Sequence, residues 1–235
     1  HGRGINYCGG SSSATTHLLE NMHYRGWLRV VRREAGIRIY GPHQHGPAPK
    51  TPAERRALLD ELVDVVVRKY APLPASSLNY VIRRVRYGVP QWSHEITAAQ
   101  ARAKQRFART AIDGESWYWP ADKPLNAREV DDEVRLLAPF DPIVWDRRKF
   151  EALWGWPYRF EAYTPVKKRK LGYYALPILW REHVIGWANV RTRDGTMQVQ
   201  SGFVSGRPPR DRAFKSALGL ELDRLRAFLG VGVKD

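Results

Sequence analysis

Two stretches of this chain gather side chains suited to holding phosphate. The first begins with Ser12, Ser13, Thr15, Thr16 and His17, short polar groups at the expected start of a helix. Free amides and the helix dipole favour an anion at such a terminus. Arg32, Arg33 and Arg38 follow on a predicted hairpin, and arginine offers phosphate a bidentate fork. The second stretch is Lys167, Lys168, Arg169 and Lys170, a run of cations placed by its flanks at a hairpin turn. There it could straddle a nucleic-acid backbone and release counterions, and it could equally be a solubilising loop. Arg102 and Arg106, with Arg109, lie about 130° around a predicted helix from its apolar side. That face suits DNA contact or plain solvation.

Groups for acid–base work are sparser. Asp141 sits in "PFDPIVWDRR" with Phe140 and Trp145. Asp-Pro commonly starts a turn, which is the simpler reading. The other reading makes Asp141 a base of raised pKa beside a nucleobase stacked on Phe140 and Trp145. Gln198 and Gln200 alternate with Met197 and Val199, the pattern of a strand, and need no catalytic role. His43 and His45 have no third ligand near them in sequence, so no metal is expected. The sequence holds no Walker-type or G-x-G-x-x-G phosphate loop and no nucleophile elbow.

The bulk properties point the same way. The chain has 235 residues and a formal net charge of +15. Residues 1–50 are the densest, with 7 basic and 2 acidic side chains. A polyanion is the natural partner, and nucleic acid the commonest one. No run approaches the roughly 18 apolar residues of a membrane helix. A single cysteine, Cys8, cannot form an internal disulfide and fits a reducing compartment. The chain starts at His1 rather than Met, which suggests the tail of something longer.

These residues need elements to position them. Ala14, Leu18, Leu19 and Met22 predict a helix ending at Gly26, followed by strands at Trp27–Arg33 and Ile37–Tyr40. Residues 1–41 thus read as the C-terminal half of a winged helix, and 42–52, rich in Pro and Gly, as a linker. Residues 53–125 read as a second winged-helix-like module. One helix covers about Ala53–Tyr70 and another runs from Pro74 to Gly88. A third starts at Thr97 and carries Ala103, Phe107 and Ala111 on one side, and "GESWYWP" follows as a strand. Residues 126–235 read as a β-rich domain with strands at Tyr158–Pro165, Gly172–Trp180, His183–Arg191 and Met197–Val204. A helix from about Asp211 to Gly230 closes the chain. The expected fold is α+β: tandem winged helix-turn-helix modules, then a small antiparallel sheet or partial barrel with a C-terminal helix.

Three segments carry a family resemblance. "GGSSSATTHLLENMHYRGWLRVVRREAGIRIY" resembles the second winged-helix module of the crosslink-repair DNA glycosylases of the AlkZ/YcaQ type. "SWYWPA" resembles the end of the third such module. The run from "LLAPFDPIVWDRR" through "YRFEAYTP", "VKKRKLGYYALP" and "GWANV" is similar to that family's C-terminal signature. The resemblance implies a C-shaped scaffold on double-stranded DNA and hydrolysis of the N-glycosidic bond of alkylated purines, N7-linked crosslinks included. It further implies a monomer without cofactor, in the bacterial cytoplasm. The family's catalytic Gln-x-Gln or Gln-x-Asp belongs to an N-terminal helical module ahead of the segment matched by residues 9–41. This chain is therefore expected to be either a fragment of a longer glycosylase or a truncated, regulatory relative that binds without cutting.

Overall fold

The structure, a computed structural model, describes residues 3–5, 11–124 and 129–231. The chain divides into two compact units at Arg55/Arg56.

In the first unit, β1 (Arg3–Ile5) pairs antiparallel with β2 (Ser11–Ser13). Next comes α1 (Ala14–Tyr24), capped at its start by the Ser13 side chain, which accepts from the Thr16 amide. Gly26, at φ 81°, lets the backbone leave the helix in the left-handed region. A hairpin of β3 (Leu28–Glu34) and β4 (Ile37–Pro42) follows. Helix, Gly exit and hairpin are thus where local propensity puts them.

The second unit opens with a helical module. It comprises α2 (Pro52–Tyr70, whose first turn belongs to the first unit), β5 (Leu73–Pro74) and α3 (Ala75–Gly88). A 3-10 turn at Pro90–Glu95 leads into α4 (Ile96–Arg106), then β6 (Ala108–Ile112) and β7 (Glu115–Trp119). The sheet order is β5-β7-β6. Its core is Leu59, Val63 and Val67 from α2 against Leu78, Val81 and Ile82 from α3 and Ala99 and Ala103 from α4. The i, i+4 spacing of each set is the stripe that lets three helices share one apolar interior. The third helix is shorter than its sequence pattern predicts. It stops at Arg106 because Phe107 turns extended, at ψ 145°, and inserts its ring into this core. Ala111 then lies in β6, whose β-branched Thr110 and Ile112 pair with β7.

The β-rich part is built from β8 (Val134–Leu136), α5 (Pro142–Trp145), α6 (Arg147–Trp154), β9 (Ala175–Trp180), β10 (His183–Arg193), β11 (Thr196–Phe203) and α7 (Arg212–Leu229). The sheet is a curled antiparallel half-barrel of order β11-β10-β9-β8, with α7 laid on it through Phe214 and Ala217. Asp194 and Gly195 both take positive φ and make the tight turn between β10 and β11 that the Asp-Gly pair predicts. Two sequence expectations need correction here. Residues 158–165 form no strand, because the Tyr158 hydroxyl and Glu161 carboxylate tie them to neighbouring backbone. Lys167–Lys170 is not a hairpin turn: a 3-10 turn covers Val166–Lys168, and an irregular stretch leads on to β9. Conversely β8 forms from three residues beside an acidic run, too short for a periodicity to reveal.

The aromatic knot under α6 holds this part together. Phe150 is fully buried and meets Trp154 at 4.7 Å, Tyr158 at 5.4 Å and Trp156 at 5.9 Å. Phe150→Ala is expected to lower the unfolding free energy by about 3–5 kcal/mol. Phe228→Ala, on a ring that is 84 % exposed, should stay within about 0.5 kcal/mol. Urea denaturation of both variants checks this.

Candidate nucleic-acid interface

Helix α3 buries one face and turns the other outward. Leu78, Val81 and Ile82 point into the core, so Ser76, Asn79, Arg83, Arg84, Arg86 and Tyr87 stand on the opposite side. Next to them α6 presents Arg147 and Arg148. Three of these arginines, Arg84, Arg86 and Arg148, pack on aromatic rings. The Arg84 guanidinium carbon lies 4.4 Å from the centre of the Tyr80 ring and 5.6 Å from that of Trp145. Arg148 approaches the same Tyr80 ring at 4.6 Å. Arg84 also donates to the Tyr80 hydroxyl. A guanidinium held over a ring keeps its N–H edge for an anion while its entropy cost of ordering is already met. The Arg86 hydrogen bond and charge, with Arg84 and Arg83 adding to them, hold the Tyr87 phenol below its ordinary value. That shift reports the positive potential of this face.

A cleft of about 540 Å³ opens beside these groups. Its lining includes two groups whose members contact one another, one wall of Tyr80, Arg84, Trp145 and Arg148 and a second of Phe140, Phe160 and Tyr163. Phe160 anchors the second wall, edge-to-face with Phe140 at 5.2 Å and with Tyr174 at 5.1 Å. Tyr158 also lines it, and burial pushes its phenol up, so it stays a neutral donor to the Ala175 carbonyl. Two features seat α6 here. Asp146 caps its start, Oδ1 accepting from the Arg148 amide at 3.2 Å. Lys149, only 3 % exposed, donates to the Tyr70 carbonyl at 2.7 Å and so fastens α6 to the end of α2. Burial pulls the Lys149 ammonium down in pKa, while Asp146 and Asp141 oppose that pull.

The residues singled out in the sequence fall into separate places. Trp145 and Phe140 both line the cleft, Phe140 being 61 % exposed. Asp141 caps α5, its side chain accepting from the Ile143 amide at 2.9 Å, which is the turn-forming role. Arg102 is held by Asp60 in a two-pronged pair, and Arg106 reaches Asp64 at 2.6 Å. Arg38 meets Glu20 at 3.2 Å, Arg32 meets Glu34 at 2.6 Å and Arg33 donates to the Gly36 carbonyl. Ser13 and Thr16 bond each other at 2.8 Å, Thr15 is exposed and His17 half-buried. Ser12 joins β2 through its backbone, and its side chain lies outside the described residues. Lys167, Lys168 and Lys170 are exposed, whereas Arg169 donates to the Thr164 carbonyl and covers the Tyr173 ring. Gln198 and Gln200 stand exposed on β11, and neither lines the cleft. His43 and His45 meet edge-to-face at 4.8 Å.

Arg83, Arg84, Arg86 and Arg148 escaped the sequence reading. The signal was present as "RRVRY" on the polar side of a strongly patterned helix. What the pattern lacked was the partner: Arg148 lies 64 positions beyond Arg84, and only the fold sets both around Tyr80.

A net charge of +15, with guanidiniums stacked on aromatics around an open cleft, is the make-up of a nucleic-acid-binding protein. No helix among the described residues is long and apolar enough to cross a membrane. The family model described as DNA glycosylase AlkZ-like matches residues 5–228, nearly the whole chain, and the chain belongs to that family. Membership carries DNA repair by glycosylase action as the general function and DNA as the substrate class. No solved structure matches the chain.

The second cleft wall is held by a carboxylate clasp. Glu161, 7 % exposed, accepts from three consecutive amides, Lys170 at 2.8 Å, Leu171 at 2.7 Å and Gly172 at 3.2 Å. Gly172, at φ 117°, leaves no room for a Cβ beside the Asn189 amide. Burial pushes the Glu161 carboxyl up, but the three amides together outweigh it and hold the group below its ordinary value of 4.5. A depressed folded-state pKa contributes stability that is present above the unfolded value and lost as pH falls through the folded one. Glu161→Gln should therefore cost about 2 kcal/mol at neutral pH, since its amide N–H₂ faces donors. The gap between variant and wild type should shrink as pH drops below 4.5. Urea melts taken from neutral to acid pH measure that gap.

Proposed function

We propose that this chain holds duplex DNA for the excision of N7-alkylated purines, interstrand crosslinks included. In this reading residues 52–119 act as a winged-helix module and residues 11–42 as the recognition helix and wing of another. Helix, strand, two helices and a two-stranded wing, with β5 closing the sheet, is the order that supports the first assignment. The carrying observation is the outward face of α3 with α6, where Arg84, Arg86 and Arg148 pack on rings and Arg83 and Arg147 stand beside them. Arg102 and Arg106, by contrast, have carboxylate partners on α2, so they serve first to lock α4 to α2. The lysines of Lys167–Lys170 supply a further exposed cationic loop.

A cationic alkylated purine is already a good leaving group, so positioning and electrostatics can supply much of the acceleration. The second reading is a DNA-binding protein without excision. One observation favours it: the Gln-x-Gln of this chain lies on the exposed surface of β11, not among the cleft residues.

Titrating a labelled 20-base-pair duplex by fluorescence anisotropy tests the grip. Contacts to about six phosphates would weaken binding by about a thousandfold between 50 and 200 mM salt. Arg83→Ala/Arg86→Ala should flatten the logarithmic salt slope by about two. Affinity indifferent to salt would sink the proposal. In parallel, incubation with methylated DNA separates the two readings: release of N7-methylguanine would establish excision, and binding without release would favour the second reading.

A further inference from the structure

Asp146 is 2 % exposed and lines the cleft, yet its Oδ2 is buried without a hydrogen-bond partner among the described residues. Its other oxygen is taken by the Arg148 amide, and the nearby Lys149 ammonium is directed to the Tyr70 carbonyl. A buried acceptor without a partner costs stability and calls for an explanation, such as an ordered water, an ion or a ligand. The surroundings say which ligand. Phe140, Phe160 and Tyr163 offer ring faces, and Tyr163 is 90 % exposed, a large aromatic with little to pack on. In the same lining Arg84 and Arg148 hold cationic edges over Tyr80. Ring faces, a pair of guanidiniums and one open carboxylate oxygen match a flat heterocycle, a phosphate and an N–H donor.

We propose that this cleft is a binding site for one unstacked purine nucleotide, with its base against Phe140 and Tyr163, its phosphate on Arg84 and Arg148, and an amino group donated to Asp146. The proposal rests on the DNA-binding reading and adds to it a site for a nucleotide out of the helical stack. Stacking against aromatic side chains accepts any base, so the amino group is where Asp146 brings selectivity. The same chemistry is offered by a nucleotide extruded from a strand and by a free nucleoside monophosphate.

Three labelled duplexes distinguish the outcomes: one fully paired, one with a single bulged 2-aminopurine, one with a single bulged unsubstituted purine. The wild-type chain should bind the 2-aminopurine bulge about tenfold more tightly than the paired duplex, and the unsubstituted purine bulge several-fold less tightly than the 2-aminopurine one. Tyr163→Ala and Phe140→Ala, both at exposed positions, should bring the bulge preference toward unity. Asp146→Asn keeps a capping oxygen but turns the open acceptor into a donor, so it should erase or reverse the preference for the amino group. Arg83→Ala/Arg86→Ala should weaken all three duplexes alike and leave the ratios standing. Competition by 2-aminopurine deoxyriboside 5′-monophosphate at millimolar concentration would show that a free nucleotide suffices. An intact bulge preference without competition would assign the site to the strand. Equal affinity for bulged and paired DNA, or a preference untouched by the Tyr163, Phe140 and Asp146 substitutions, overturns the proposal. Loss of paired-duplex binding with the bulge preference retained would overturn the duplex reading alone.

Discussion

A lysine ammonium buried among helices is the constraint on which the cleft depends. Lys149 gives up most of its hydration to donate to the Tyr70 carbonyl at the end of α2. Such a group is tolerated only when its position is determined from several sides, because an unpartnered buried charge costs several kcal/mol. Here the carbonyl sits at a helix C-terminus, where the dipole favours a cation, and Asp146 adds opposite charge. The bond sets the rotation of α6 against the helical module. That rotation places Arg148 over Tyr80, and Trp145 within reach of Tyr70 and Tyr80.

The cations of this chain divide by what they touch. Arg102 and Arg106 repeat at i, i+4 on α4, and Asp60 and Asp64 repeat at i, i+4 on α2. Matched spacing turns two exposed faces into one ladder, and those guanidiniums stabilise a helix contact. On α3 no such carboxylate row faces Arg83, Arg84 and Arg86 among the described residues, and Arg84 and Arg86 settle on tyrosines. Net charge counts both groups alike. Only the second leaves N–H donors and positive potential facing outward, which is why cation–aromatic packing is the better guide to a polyanion surface here.

Family membership and the cleft bear on different questions. The match over residues 5–228 places the chain among AlkZ-like DNA glycosylases. The open oxygen of Asp146 and the exposed ring of Tyr163 come from the geometry of this chain itself. Both lie in the stretch from Leu136 to Val190 that carries the resemblance, so the signature residues include some whose packing is unfinished without a ligand. Glu161 in the same stretch is of the opposite kind, its Oε2 taken by three amides and spent on shaping a wall.

Local chemistry was legible wherever a short range of residues decides it. The Ser13 cap, the Gly26 exit, the Asp194-Gly195 turn, the Asp141 turn and the run from Asp211 to Gly230 follow from side chains acting on their own backbone. So do the apolar stripes of α2 and α3, since helical spacing brings those residues to one face regardless of the partner. The partner itself was not legible. Residues 158–165 have the composition of a strand, but a strand needs a neighbour to bond, and tertiary packing gave those residues Ala175 and the 170–172 amides instead. Phe107 ended a helix that its pattern would extend, because burying a ring outweighs another helical turn. The cleft is the clearest case. Tyr80 and Arg84 on α3, Asp146 and Arg148 at the start of α6, and Tyr163 come from three segments, and no periodicity links one segment to another. By itself the sequence determined the locally decided elements, the charge and the family. The tertiary structure decided which arginines are spent on carboxylates and which face a cleft, because a side chain's partner is set by distance in space and not by distance along the chain.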